Sequence, residues 1–348
     1  MRIQKSKVAI IGAGLVGSST AFSLITQGVC DEVLLVDLNH EKALGEVRDL
    51  KNSIKFLNRN VQVKAGDYQD CGDADIVVIT AGAPPKPGQT RLDTLDISAK
   101  IAKSIVEPVM AAGFDGVFIV VSNPVDMLAD LVYQLSGLPK NQVLGTGTSI
   151  DSARLQNFLA DLVDVDPRSV YGYAMGEHGD SLMVPWSTVT IAGKAFQDVI
   201  TDNPELVGDI DLDDLVLKTT QEGWEIFNRK GTTYYGIASA CVGIIKAILF
   251  DENSIIPVST RLEGEYEETD LFAGVPAILN RSGVADILEI HLTEAEAEKF
   301  HHSAAVIREN TEKIRQYVSK KDWATPFPLR IQAKPIPKNL LLRTGLIC

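Results

Sequence analysis

Short, continuously apolar runs alternate with longer helical stretches through the first 150 residues. Residues 7–11 (Lys-Val-Ala-Ile-Ile) form an unbroken strand-like run, and residues 16–27 behind them read as a helix. The pattern repeats with strands at 32–36, 61–63, 75–80, 116–121 and 142–145, and with a helix at 41–53. Strands that are apolar at nearly every position, separated by helices, indicate a parallel sheet covered on both faces. Right-handed crossovers then give a doubly wound α/β arrangement.

Beyond residue 150 the pattern changes. Residues 151–162 read as helix, 187–191 and 254–258 as strands, and 275–279 as a further candidate strand. Two long helices are predicted at 213–228 and 293–320. In the second, Phe300, Ala304, Ile307, Ile314 and Val318 follow helical spacing. Thr293 caps it, with Glu296 three residues on to complete a capping box. The sequence therefore divides into 1–148, a parallel α/β domain, and 149–325, a mixed α+β domain. Residues 326–348 carry four prolines and several cations but no acid, and read as an extended arm or a non-native tail.

Composition narrows the function. Against 33 Lys and Arg stand 46 Asp and Glu, a net charge of −13 that argues against nucleic acid or an anionic membrane as partner. No apolar run approaches the roughly 20 residues that span a bilayer, and the polar, basic N-terminus has no signal-peptide core. Cys30, Cys71, Cys241 and Cys348 are dispersed, with no C-x-x-C pair and no clustered histidine, so no zinc site is expected. Free thiols fit a reducing compartment, and a cytoplasmic protein is expected.

The chemistry begins with Gly12-x-Gly14-x-x-Gly17, between the first strand and its helix. Gly12 permits a sharp turn, Gly14 a close backbone approach to a pyrophosphate, and Gly17 tight helix–sheet packing. This is the Rossmann fingerprint, although a tight turn alone uses the same glycines. Asp37 ends the second strand, 20 residues past Gly17. A carboxylate there accepts ribose hydroxyls and repels a 2′-phosphate, favouring NAD over NADP; an ordinary strand-end carboxylate looks the same.

His178 lies in Gly-Glu-His-Gly-Asp, bracketed by glycines and carboxylates. Hydride transfer to a ketone needs a proton donor for the oxygen, and histidine titrates near neutrality. Asp151 is the candidate carboxylate to orient it. Arg154, one helical turn on, suits a bidentate clamp on a substrate carboxylate; a plain intrahelical ion pair would place the same two residues. Residues 81–91 follow the fourth strand and are rich in proline and glycine, so they suit a lid carrying Arg91 to the substrate carbonyl, or a surface turn. Asn123 ends the fifth strand as a substrate or ribose ligand, or as a turn starter before Pro124. In 231–237, Thr233 offers a hydroxyl and Ile237 an apolar wall, or the segment is merely a helix cap.

Taken together and in order, these motifs resemble the L-lactate/L-malate dehydrogenase family, its bacterial lactate branch in particular, from about residue 5 to about 323. The resemblance rests also on Val121-Ser-Asn-Pro-Val-Asp126, Gly145-Thr-Gly-Thr148 and Lys230-Gly-Thr-Thr233. It implies an NAD-dependent reduction of pyruvate to L-lactate in glycolysis and fermentation, by a cytoplasmic homotetramer. It also implies His178 as acid/base, Asp151 as its partner, Arg154 as clamp, Arg91 as lid arginine, Asn123 and Thr233 at the substrate, and Ile237 at the nicotinamide. The lid position before Lys86-Pro87-Gly88 is glutamine in lactate enzymes and arginine in malate enzymes; here it is Pro85, which disfavours malate and leaves bulkier apolar 2-oxo acids as an alternative. A non-catalytic NAD-binding protein is the distant alternative. Bacterial relatives that bind fructose 1,6-bisphosphate use an arginine and a histidine where this chain has Gln156 and Tyr171, so independence from that activator is expected.

Overall fold

The computed structural model describes residues 5–83, 92–207 and 210–318. Its first half runs β1 (Lys7–Ile11), α1 (Leu15–Gln27), β2 (Glu32–Val36), α2 (His40–Ile54), β3 (Gln62–Gly66), β4 (Ile76–Ile79), α3 (Leu95–Ala111), β5 (Val117–Val120), α4 (Val125–Ser136) and β6 (Val143–Gly145). These six strands pair in parallel in the order β6-β5-β4-β1-β2-β3. The unbroken apolar runs arise because both faces are covered. Val8, Ile10, Val33 and Leu35 pack with α1 and α2, whereas Ala9, Ile11, Leu34 and Val36 turn to the side of α3 and α4. Each such buried aliphatic chain contributes about 1.5–3 kcal/mol.

The second half runs α5 (Ser149–Val163), β7 (Val170–Tyr171), β8 (Thr190–Ile191), β9 (Lys194–Ala195), α6 (Phe196–Asp202), α7 (Pro204–Val207), α8 (Leu212–Lys230), α9 (Tyr235–Leu249), β10 (Ser254–Glu263), β11 (Thr269–Asn280), β12 (Gly283–Ile287) and α10 (Glu294–Ile314). β7, β8 and β9 make a small antiparallel sheet. β10, β11 and β12 extend the main sheet to nine strands, with β10 antiparallel to β6 through Ser259 and Gly145. The main sheet is thus mostly parallel, and a mixed α/β half is built on its edge.

Two sequence expectations give way to tertiary contacts. The strand expected at 187–191 is instead a 3-10 turn, Trp186–Thr188, followed by the two-residue β8. Ser187 gives its N–H and hydroxyl to Glu296 at 2.9 and 2.7 Å, so its backbone donor is not available to a strand partner. The last helix stops at Ile314, short of the expected 320, and passes into a 3-10 turn, Arg315–Tyr317. There Lys103 Nζ of α3 donates to the Tyr317 carbonyl at 2.9 Å and the Tyr317 hydroxyl donates to Asp96. At its other end the helix has the expected capping box between Thr293 and Glu296. The tail, 326–348, lies outside the described residues.

Behind the site, Asp130 of α4 is 7 % exposed and lies 3.6 Å from Arg261. Burial pushes its carboxyl up to about 6, against the pull of Arg261. The folded chain therefore holds a proton there that the unfolded chain releases above about pH 4, and stability falls as pH rises through this window. Asp130→Asn removes that dependence. The melting temperature of the variant relative to the parent is expected to rise by about 2–4 °C between pH 5 and pH 8. Calorimetry at the two pH values measures it, and a constant difference contradicts it.

Candidate active site

Every candidate group comes from the carboxyl end of a parallel strand or from the second half folded over those ends, where open α/β sheets bind ligands. After β1 the chain turns at Gly12, whose φ is 110°. A Cβ on Gly12 would lie 2.8 Å from the Ala81 nitrogen, and one on Gly17 would lie 1.9 Å from the Gly12 carbonyl oxygen. A Cβ on Gly14 would meet nothing within 4 Å among the described residues. Gly12 and Gly17 thus shape the turn, while Gly14 presents open backbone at the N-terminus of α1, where as the N-cap residue it has no side chain to cap the helix. Asp37 accepts the Ala13 N–H at 2.7 Å and the Asn39 N–H at 2.8 Å, tying the end of β2 to the glycine turn. A helix N-terminus behind accessible backbone, with a carboxylate beside it, fits a dinucleotide.

The histidine loop hangs between several elements. Met175 and Met183 pair across its neck, and Gly176 pairs with Gly274 of β11. Asp126, in the first turn of α4, accepts the His178 N–H at 2.9 Å. The ring Nδ1–H donates to Asp151 Oδ2 at 2.5 Å, and Arg154 Nη1 donates to Asp151 Oδ1 at 2.8 Å. One carboxylate on the first turn of α5 therefore holds an imidazole and a guanidinium, with side-chain exposures of 3 % for Asp151, 9 % for Arg154 and 10 % for His178. A buried carboxylate needs such partners on both oxygens. Asp126 is 1 % exposed. Burial pushes its carboxyl up to about 7; Ser259 and the His178 N–H pull it down, and the neighbouring Glu177 and Asp151 push it up.

His178 and Arg154 line a crevice of about 260 Å³ with Val16, Thr80, Ser122, Asn123, Thr146, Thr233 and Ile237. Within it, Asn123 Oδ1 is buried without a hydrogen-bond partner among the described residues, an acceptor open to a bound hydroxyl or amide. The structure thus brings His178, Asp151, Arg154, Asn123, Thr233 and Ile237 together, with the glycine turn of Gly12, Gly14 and Gly17 and Asp37 alongside. Pro85 and Arg91 lie outside the described residues, as does most of the expected lid.

Three residues escaped the sequence reading. Asp126 stands inside a motif noticed for Asn123, and only its contact with a backbone 52 residues away gives it a role. Trp224 and Phe227 of α8 form an edge-to-face pair, with centroids 5.7 Å apart, on the crevice wall. Their three-residue spacing was the available signal, but it reads equally as helix packing. The thiols of Cys30, Cys71 and Cys241 are buried, and burial pushes each up to about 12, so none is a thiolate near neutrality.

Comparison with known proteins agrees with this geometry. Residues 6–145 match the lactate/malate dehydrogenase NAD-binding domain, and residues 148–318 the lactate/malate dehydrogenase alpha/beta C-terminal domain. The chain is 53 % identical over 309 residues to L-lactate dehydrogenase 3 of Bacillus cereus, covering 89 % of this chain and 98 % of that protein. The minor L-lactate dehydrogenase of Enterococcus mundtii, solved with ligands bound, superposes with a TM-score of 0.86 at 44 % identity, covering 89 % and 98 % of the two chains. The lactate dehydrogenase of Cryptosporidium parvum, solved with lactic acid and NAD, gives 0.85 at 28 % identity, covering 90 % and 99 %.

Proposed function

The chain belongs to the lactate/malate dehydrogenase family, and we propose that its crevice reduces pyruvate to L-lactate with NADH, His178 delivering the proton. The observation that carries this reading is Asp151, whose two oxygens hold the imidazole and the guanidinium at one crevice. NADH, when bound, supplies the hydride. The backbone around Gly12, Gly14 and Gly17 would take its pyrophosphate, Asp37 its ribose, and Ile237 would pack against its nicotinamide. Arg154 pairs with the carboxylate of the 2-oxo acid, and Asn123 and Thr233 line its remaining surface. Because Asp151 accepts from Nδ1–H, Nε2 is the ring nitrogen that gives its proton to the carbonyl oxygen as the carbon takes the hydride. Asp151 stabilises the imidazolium before transfer and fixes the ring's tautomer. In the reverse direction the neutral ring accepts the hydroxyl proton. To Arg91 we assign the polarisation of the carbonyl, and to Pro85 the discrimination between substrate side chains. We divide the chain at the end of β6 into a mainly cofactor-binding part, 1–148, and a mainly substrate-binding and catalytic part, 149–325, with Asn123 reaching the substrate from the first and Ile237 the nicotinamide from the second.

Comparing kcat/KM on pyruvate, 2-oxoisocaproate and oxaloacetate tests the assignment. Pyruvate is expected to lead and oxaloacetate to trail, since no cation is assigned to a second carboxylate. A lead for oxaloacetate refutes the reading. The apolar wall of Trp224, Phe227 and Ile237 favours 2-oxoisocaproate as the second choice, and a lead for that acid supports the bulkier-substrate alternative.

The open space at Gly14 gives a sharper prediction. Gly14→Ala is expected to fold with an unchanged melting temperature yet lose about tenfold or more in NADH affinity, because its methyl occupies the phosphate's approach. NADH fluorescence titration measures it, and unchanged affinity contradicts it. Fructose 1,6-bisphosphate is expected to leave the half-saturating pyruvate concentration unchanged. Gln156 is a neutral amide that donates to the Gly172 carbonyl at 3.0 Å, and Tyr171 places a phenol where those relatives carry an imidazole. A large fall in that concentration on adding the bisphosphate contradicts the expectation.

The assembly we assign is a homotetramer. Leu15, Phe22 and Tyr235 are 56 %, 50 % and 68 % exposed on the α1 and α9 side, where Phe22 and Tyr235 line a concavity of about 510 Å³. A second copy would cover them. Sedimentation velocity distinguishes four chains from one or two. Among the described residues no helix is long and apolar enough to cross a membrane; we place the protein in the cytoplasm.

A further inference from the structure

Ser303 lies within α10, outside the crevice, and its side chain is wholly buried. Its Oγ accepts the Glu177 N–H at 2.8 Å and lies 3.0 Å from Ser181 Oγ. Ser181 Oγ donates to Glu177 Oε2 at 2.6 Å, and the Ser181 N–H points to the same oxygen at 3.2 Å. The donors and acceptors then run one way around a ring. The Glu177 N–H gives to Ser303, Ser303 gives to Ser181, and Ser181 gives to the Glu177 carboxylate. Each hydroxyl donates once and accepts once, which satisfies a buried charge that would otherwise be costly. A Cβ on Gly176 would lie 2.3 Å from Ser303 Oγ, so the loop backbone rests directly on this hydroxyl.

The ring brackets His178, whose preceding residue and whose neighbour three positions on are both fastened to α10 through Ser303. We propose that Ser303 is a positioning residue for proton transfer, holding the peptide of residues 176–177 so that the imidazole meets Asp151. The inference rests on the reading of His178 as the acid/base. Asp126 takes the His178 N–H from the α4 side, and Asp151 with Arg154 faces the ring from α5. With Ser303 removed, the Glu177 N–H loses its acceptor and the carboxylate ring opens. The loop stays pinned at Gly176 by Gly274 and at His178 by Asp126, but the peptide between these two points is freed to rotate, and the imidazole drifts from its carboxylate.

The test uses the full chain with Ser303→Ala and Ser303→Cys, the thiol being a weak acceptor and donor. Ser303→Ala is expected to lower kcat for pyruvate reduction by about tenfold and leave the NADH dissociation constant within about twofold. The alkaline limb of its log kcat/KM profile is expected to move about half a unit to lower pH, because a looser carboxylate favours the imidazolium less. Ser303→Cys is expected between Ser303→Ala and the parent on every measure. A parent-like kcat and limb in Ser303→Ala overturns the proposal. So does a loss of stability or rate with the limb unmoved, which marks a purely structural role. If Ser303→Ala does not fold, Ser303→Cys decides by the same readouts. His178→Ala is measured in the same series: full turnover there sinks the acid/base reading itself, whereas an inactive His178→Ala beside a parent-like Ser303→Ala sinks only the role of Ser303.

Discussion

Replacing His178 with alanine is expected to lower kcat for pyruvate reduction at least about a hundredfold while NADH affinity stays within about twofold. Two features make this change clean. The contacts that hold the loop run through backbone atoms, since Asp126 takes the His178 N–H and Gly176 pairs with Gly274, so losing the ring leaves them in place. Asp151 also keeps Arg154 at 2.8 Å on Oδ1, so its buried charge retains a cation when the imidazole leaves Oδ2. The loss then reports the proton donor rather than a collapsed site. Stopped-flow measurement of NADH oxidation with saturating pyruvate, beside a fluorescence titration of NADH, separates the two quantities. Turnover near that of the parent removes His178 from the chemistry.

Arg154→Leu is expected to act on affinity. A guanidinium–carboxylate pair in a crevice screened from water contributes about 1.5–3 kcal/mol per charged hydrogen bond. Losing two such bonds raises the half-saturating pyruvate concentration by at least about a hundredfold. The substitution also strips Asp151 of its cation, so Arg154→Lys is the companion variant. Lysine restores charge without the planar fork and is expected to recover only part of the affinity. Initial-rate kinetics over a wide pyruvate range measure both. An Arg154→Leu enzyme that saturates at the parent's pyruvate concentration, with only kcat changed, contradicts the assignment.

The legible parts of this molecule are those where local sequence and tertiary need coincide. β1 and β2 are read residue for residue because strands buried on both faces are apolar throughout, and nothing distant alters that. The glycine turn is legible because Gly12 and Gly17 each meet a steric demand of the fold, of which the 1.9 Å approach at Gly17 is the more severe, while Gly14 leaves its backbone open. Asp151 and Arg154 could be picked as partners of one another from helical spacing, but their meeting with His178, 27 residues from Asp151, depends on the fold. Where a distant side chain captures the backbone, the pattern misleads. Ser187 sits in an alternating run that reads as strand, yet Glu296 takes its N–H, and 109 residues of separation hide that competitor. Asp126 and Ser303 were illegible for a related reason. Each acts on the loop's backbone N–H groups, which leave no compositional trace at the residues they bond.

The central claim is spatial, and a crystal structure of the ternary complex with NADH and oxamate, the amide isostere of pyruvate, tests it most directly. His178 Nε2 is expected about 3 Å from the oxamate amide oxygen, with Asp151 still on Nδ1 and the Arg154 guanidinium paired with the oxamate carboxylate. Oxamate bound away from Arg154, or an imidazole turned off Asp151 and out of reach of that oxygen, would contradict it.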